Sequence, residues 1–93
     1  MREATVETYL REQVKKIGGR CVKLVPASVV GVPDRLVLLP GGRVIFVEVK
    51  RPKGGRFSQK QVLWRDWLVE NGFGYAAVFT KEGVDELLGL DDH

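Results

Sequence analysis

The chain has 93 residues, 44% of them hydrophobic, and a formal charge of +3, which is enough for one small core and one domain over residues 1–93 but not for a second. A lone cysteine excludes an internal disulfide and points to a reducing, cytoplasmic setting with Cys21 as a buried free thiol, while MREATVETYLREQ mixes charge with apolar residues and reads as neither signal peptide nor membrane span. The modest total charge hides an asymmetry: residues 1–60 hold 13 Lys or Arg against 5 Asp or Glu, a net +8, whereas residues 61–93 hold 2 against 7, a net −5.

Val6, Leu10, Val14 and Ile17 recur at helical spacing and predict a first helix over residues 3–17, stopped by Gly18-Gly19. Cys21 to Val25 reads as a short strand ended by Pro26, and Ala27 to Pro33 as a loop. Arg35 to Leu39 is a second strand, Pro40-Gly41-Gly42 a turn, and Arg43 to Lys50 a third strand, so the two form a hairpin. A second helix runs from Gln59 to about Asn71, with Leu63, Trp64, Trp67 and Leu68 on one side and Gly72 closing it. Gly74 to Thr80 is a fourth strand, and Glu82 to Leu88 a last helix before an acidic tail. The order αβββαβα predicts an α/β fold, a mixed four-stranded sheet flanked by helices.

Glu48 and Lys50 end the third strand two residues apart, so they emerge on one face. An E-x-K tripeptide is common, and a salt-bridged pair on an edge strand would explain it. Asp34, at the mouth of the partner strand, changes its weight. A three-residue loop Pro40-Gly41-Gly42 pairs Leu39 with Arg43, and counting back sets Asp34 opposite Glu48; a two-residue loop would pair Asp34 with Val49 instead. Two directly paired carboxylates repel unless a cation joins them. Hard oxygen ligands select Mg²⁺, with Mn²⁺ as a substitute, and Lys50 on the same face would orient a water toward phosphorus. The densest basic run, Lys50, Arg51, Lys53, Arg56 and Lys60, carries Phe57 and a Gly-Gly break, which suits phosphate contacts and equally a solvated loop.

The segments GVPD (Gly31 to Asp34), EVK (Glu48 to Lys50) and SQKQ (Ser58 to Gln61), in this order, resemble the PD-(D/E)XK nuclease superfamily, and more closely the small standalone form of the VRR-NUC family. VETYL, KKIGGRCVKL, DRLVLLPGG and VEVKRP extend the resemblance over nearly the whole chain. It implies a restriction-endonuclease-like core in which Asp34, Glu48 and the Val49 carbonyl bind the metal and Lys50 is the catalytic lysine. It also implies an acid on the first helix, matched better by Glu7 than by Glu3, and a glutamine matched by Gln61. On physical grounds Glu7 is equally an exposed first-turn acid favouring the helix dipole. Gln61 equally completes a capping box with Ser58, and the two roles are compatible. Lys23 matches a family lysine but is also read as a snorkelling strand lysine.

The function expected is therefore Mg²⁺-dependent cleavage of DNA, with branched DNA of the Holliday-junction type as substrate and a homodimer as the acting form, as the resemblance implies for standalone members, many of them phage-encoded. Trp64, Trp67, Phe73 and Tyr75 are expected mainly in the core, some of them at that interface. Two alternatives stay open: a non-catalytic DNA-binding module, and a monomeric flap or nicking nuclease. His93 has no histidine or cysteine companion, so zinc and Ser-His or Cys-His chemistry are excluded. The Gly-Gly pairs lack the spacing of a phosphate-binding loop, so no nucleotide cofactor is expected.

Overall fold

The computed structural model describes residues 2–24 and 29–90. The expected end of the first strand at Val25 and Pro26, the loop residues Ala27 and Ser28, and the tail with His93 lie outside the described residues. Seven elements follow one another: α1 (Glu3–Lys16), β1 (Arg20–Lys23), β2 (Arg35–Leu39), β3 (Arg43–Val49), α2 (Gln59–Glu70), β4 (Gly74–Val78) and α3 (Lys81–Leu88). β4 ends two residues before the expected Thr80 because Thr80 caps α3, its Oγ1 accepting from the Gly83 N–H at 3.0 Å. Among the described residues no helix is long and apolar enough to cross a membrane.

The sheet order is β1-β2-β3-β4, with the first two pairings antiparallel and β3–β4 parallel. The parallel pair requires a crossover, and α2 supplies it. In the hairpin, Leu39 pairs with Arg43 and Arg35 with Val47, the register of a three-residue loop. Gly41 and Gly42 both take positive φ, 89° and 82°, so this tight reversal depends on two residues without a Cβ.

Alternation along the strands divides the sheet into two faces. One carries Val37, Ile45, Val47, Val49 and Val78, which pack with Val6, Leu10 and Val14 of α1 and Val84 and Leu88 of α3 to form the core. The four-residue spacing in α1 places all three of its valine and leucine side chains on this face, each fully buried. Arg35 also points this way and is 8% exposed. Its Nε donates to Glu7 Oε2 of α1 at 2.9 Å, so the buried cation is neutralised across the helix–sheet interface.

The other face carries Leu36, Leu38, Phe46, Glu48 and Tyr75, and α2 packs on it chiefly over β4. The side of α2 expected to be covered is only partly so. Leu68 is buried, whereas Leu63 is 61% and Trp67 52% exposed, because a helix seated over β4 leaves its outer flank beyond the sheet. Trp67 instead stacks on Phe73 at 5.7 Å, and Phe73 meets Phe46 edge-on at 6.2 Å. Of the four aromatics expected mainly in the core, Trp64 and Tyr75 are half-buried while Trp67 and Phe73 lie mostly at the surface.

Gly31 holds the loop before Asp34 against the first turn of α2. Its φ is +94°, and a Cβ there would sit 2.6 Å from the Lys60 backbone carbon. Gly31→Ala is therefore expected to cost about 2 kcal/mol or more of stability through left-handed strain and backbone overlap, measured by urea denaturation; an unchanged midpoint would contradict this packing.

Candidate active site

Continuing the β2–β3 register one step past Arg35↔Val47 sets Asp34 opposite Glu48, at the open end of the hairpin. Both side chains leave the face that α2 approaches. Glu48 is 1% exposed, a severe burial for a carboxylate. Its pKa is pushed up to about 8, first by burial, then by a shared hydrogen bond with Asp34 and the like charge of Asp34; Lys50 pulls it down and Glu3 pushes it further up. Without a cation between them, the two acids hold a proton well above the usual carboxylate range.

Asp34 Oδ2 accepts from the Val49 N–H at 3.0 Å. In an extended strand the N–H and C=O of one residue point to the same side, so the Val49 carbonyl is directed toward Asp34 as well. The residue opposite Val49 in the continued register is Pro33, which has no N–H to give that carbonyl. A proline at this place thus gives the main-chain oxygen beside the two carboxylates no cross-strand N–H. Among the described residues no group of three or more His, Cys, Asp or Glu side chains converges. Two carboxylates and a carbonyl fit an octahedral hard ion that keeps several waters, as Mg²⁺ does.

Gln61 ties the acid to the base. Its Nε2 donates to Glu48 Oε2 at 3.2 Å, and its Oε1 accepts from Lys50 Nζ at 2.8 Å. The same Oε1 accepts from the Ser58 N–H at 2.9 Å, and Ser58 Oγ accepts from the Gln61 N–H at 3.1 Å, which completes the capping box. One residue therefore starts α2 and bridges Glu48 to Lys50, which it can do because the first turn of α2 lies over the end of β3. Lys50 Nζ also lies 5.4 Å from the centre of the Phe57 ring.

A solved structure described as a VRR_NUC domain superposes on this chain with a TM-score of 0.87 and 31% sequence identity, covering 94% of each chain. The chain belongs to the VRR-NUC family. A curated protein of Acyrthosiphon pisum secondary endosymbiont phage 1, named "Putative nuclease p44", is 52% identical over 52 residues. That match spans 56% of this chain and 56% of the phage protein. No family model matches the sequence.

Within this VRR-NUC fold, Asp34, Glu48, Val49, Lys50 and Gln61 come together at one end of the hairpin. Glu7 does not join them: it spends its Oε2 on Arg35, whose side chain leaves β2 on the face opposite to Asp34. The α1 acid whose charge reaches Glu48 is Glu3, one turn earlier. Lys23 pairs with Arg35 across β1–β2 and is exposed on that same opposite face. Arg51, Lys53, Arg56 and Lys60 are exposed on the segment that leaves β3 and enters α2. Arg35, Arg65 and the Tyr75 hydroxyl, which is buried without a hydrogen-bond partner among the described residues, carry no motif in the sequence.

Two measurements test this geometry. Glu7→Gln is expected to lower stability by about 1–3 kcal/mol, because it leaves Arg35 short of a counter-charge, while leaving Mn²⁺ affinity unchanged in calorimetry; lost Mn²⁺ affinity at unchanged stability would place Glu7 in the site instead. Because folding raises the Glu48 pKa from 4.5 to about 8, its contribution is fully present below about pH 4.5, declines as pH rises and is gone above about 8. Metal-free protein should thus lose stability between pH 5 and 8 more steeply than Glu48→Gln, with Mg²⁺ flattening the difference. Parallel profiles would contradict the burial of an unpaired acid.

Proposed function

We propose that this chain is a metal-dependent endonuclease that hydrolyses phosphodiester bonds in DNA. The observation that carries the reading is the buried Glu48 set directly opposite Asp34, with Lys50 linked to it through Gln61. Asp34, Glu48 and the Val49 carbonyl would hold Mg²⁺, with Mn²⁺ as a substitute. When bound, the ion polarises a phosphoryl oxygen and stabilises the leaving alkoxide.

The chain's own residues do the rest. Gln61 keeps the Lys50 ammonium beside the acids, leaving two of its three N–H donors for the attacking water and the phosphoryl oxygens. Lys50 orients that water and offsets the charge that builds on five-coordinate phosphorus. The water oxygen bonds to phosphorus and gives up one proton as the bond to the 3′ oxygen breaks and that oxygen takes one up, leaving a 5′-phosphate and a 3′-hydroxyl with no net gain or loss of protons in the step. Arg51, Lys53, Arg56 and Lys60 supply the sequence-independent attraction for the DNA backbone.

We further read the substrate as branched DNA of the Holliday-junction type and the acting form as a homodimer. Symmetric incision across a junction needs two sites related by a twofold axis. The membership in a family with standalone, junction-type members supports this, as does the single carboxylate pair opposed across the hairpin among the described residues.

The deciding assay is cleavage of plasmid, duplex and four-way-junction DNA in Mg²⁺ and in Mn²⁺. Asp34→Ala and Lys50→Ala should each reduce the rate by about a hundredfold or more while retaining DNA binding, and sedimentation should show a dimer. Absence of cleavage by the wild type in either metal, with binding retained, would make the chain a DNA-binding module. Cleavage by a monomer would remove the junction-resolving part of the reading.

A further inference from the structure

We propose that Arg65 is a substrate-contacting residue of this site, its guanidinium taking a non-bridging oxygen of the DNA phosphodiester, and that Phe57 is the platform that places both Arg65 and Lys50. The inference rests on the nuclease reading and deepens it by naming a cation that no motif singles out. Arg65 follows Gln61 by one helical turn on α2, so the two side chains leave the helix on the same side. Gln61 reaches Glu48 and Lys50 from there. Arg65 leans over the same mouth: its guanidinium carbon lies 5.6 Å from the centre of the Phe57 ring, while Lys50 Nζ lies 5.4 Å from it.

Phe57 is itself braced, meeting Phe79 edge-on at 6.3 Å. A ring braced in this way narrows the directions open to two long side chains, each otherwise held by a single hydrogen bond, at little cost to their charge. Neither cation is spent. Lys50 bonds the neutral amide of Gln61. Arg65 gives its Nε to Asp66 Oδ1 at 3.1 Å, but that pair joins neighbouring residues whose side chains are 38% and 51% exposed, and such a contact holds weakly.

The terminal nitrogens of Arg65 remain a planar fork of the kind that matches phosphate oxygens. Two opposed carboxylates demand a cation; two cations on one ring beside them suit an anion. A phosphodiester would suit both, its non-bridging oxygen taking the Arg65 fork while Asp34 and Glu48 would hold the cation.

The test uses the full chain with Arg65→Ala, Arg65→Lys, Phe57→Leu and Phe57→Tyr. Single-turnover cleavage is followed in Mg²⁺, and DNA binding in Ca²⁺ is followed against salt. Arg65→Ala should slow cleavage by about a hundredfold and lower the slope of log affinity against log salt by about 0.9, with the melting temperature unchanged. Arg65→Lys should recover the salt slope but not the rate, because charge returns without the fork. Phe57→Leu should slow cleavage without changing the salt slope, and Phe57→Tyr should restore it.

Wild-type cleavage and salt slope in Arg65→Ala would overturn the inference and leave the nuclease reading standing. Equal rates in Phe57→Leu and wild type would remove the platform. If the wild type cuts no DNA, the nuclease reading fails, and the salt slopes still decide whether Arg65 meets a phosphate.

Discussion

The pairing of Asp34 with Glu48 across the β2–β3 hairpin is the constraint on which the site depends. It follows from the register, which follows from the turn. Gly41 and Gly42 both occupy the left-handed region, so Leu39 closes on Arg43 and every later pair is fixed. A slip by one residue would send one acid to the core face and dissolve the site, since strand side chains alternate. Local backbone chemistry at a surface turn therefore determines whether two carboxylates meet at the far end of the ladder.

Around that pair the structure assigns each neighbour a double task. Gln61 starts α2 through its capping box and links Glu48 to Lys50. Pro33 ends the ladder and has no N–H to offer the Val49 carbonyl next to it in register. Gly31 lets the loop bearing Asp34 lie against the helix bearing Gln61. Stability and site geometry are thus tied together in the same residues, and Glu48 shows the cost of the arrangement. A carboxylate buried to 1% exposure beside a second one destabilises the metal-free fold at neutral pH, the kind of local strain found where a ligand supplies the missing charge.

Much of this was legible in the sequence because it rested on local signals. The hydrophobic spacing of Val6, Leu10 and Val14 marks α1, the Pro40-Gly41-Gly42 turn narrows the hairpin to two registers, one of which the structure shows, and Ser58-x-x-Gln61 marks the start of α2. What was not legible depends on contacts distant in sequence. Glu7 matched an acid of the family pattern, yet it neutralises Arg35, 28 positions away, and nothing local to either residue announces that partnership. Leu63 and Trp67 repeat with helical period but lie outside the contact with β4, because periodicity identifies a face and not what covers it. Arg65 belongs to no motif, and although Phe57 stands out as the aromatic of the basic run, only the fold brings both cations to its ring.

The most direct test of the central claim is Mn²⁺ binding by titration calorimetry on wild type, Asp34→Asn and Glu48→Gln, without DNA and with an uncleavable duplex. Binding to the wild type should be severely weakened by either substitution, since each removes one jaw of the same clamp. Equal Mn²⁺ affinity in all three proteins would contradict it.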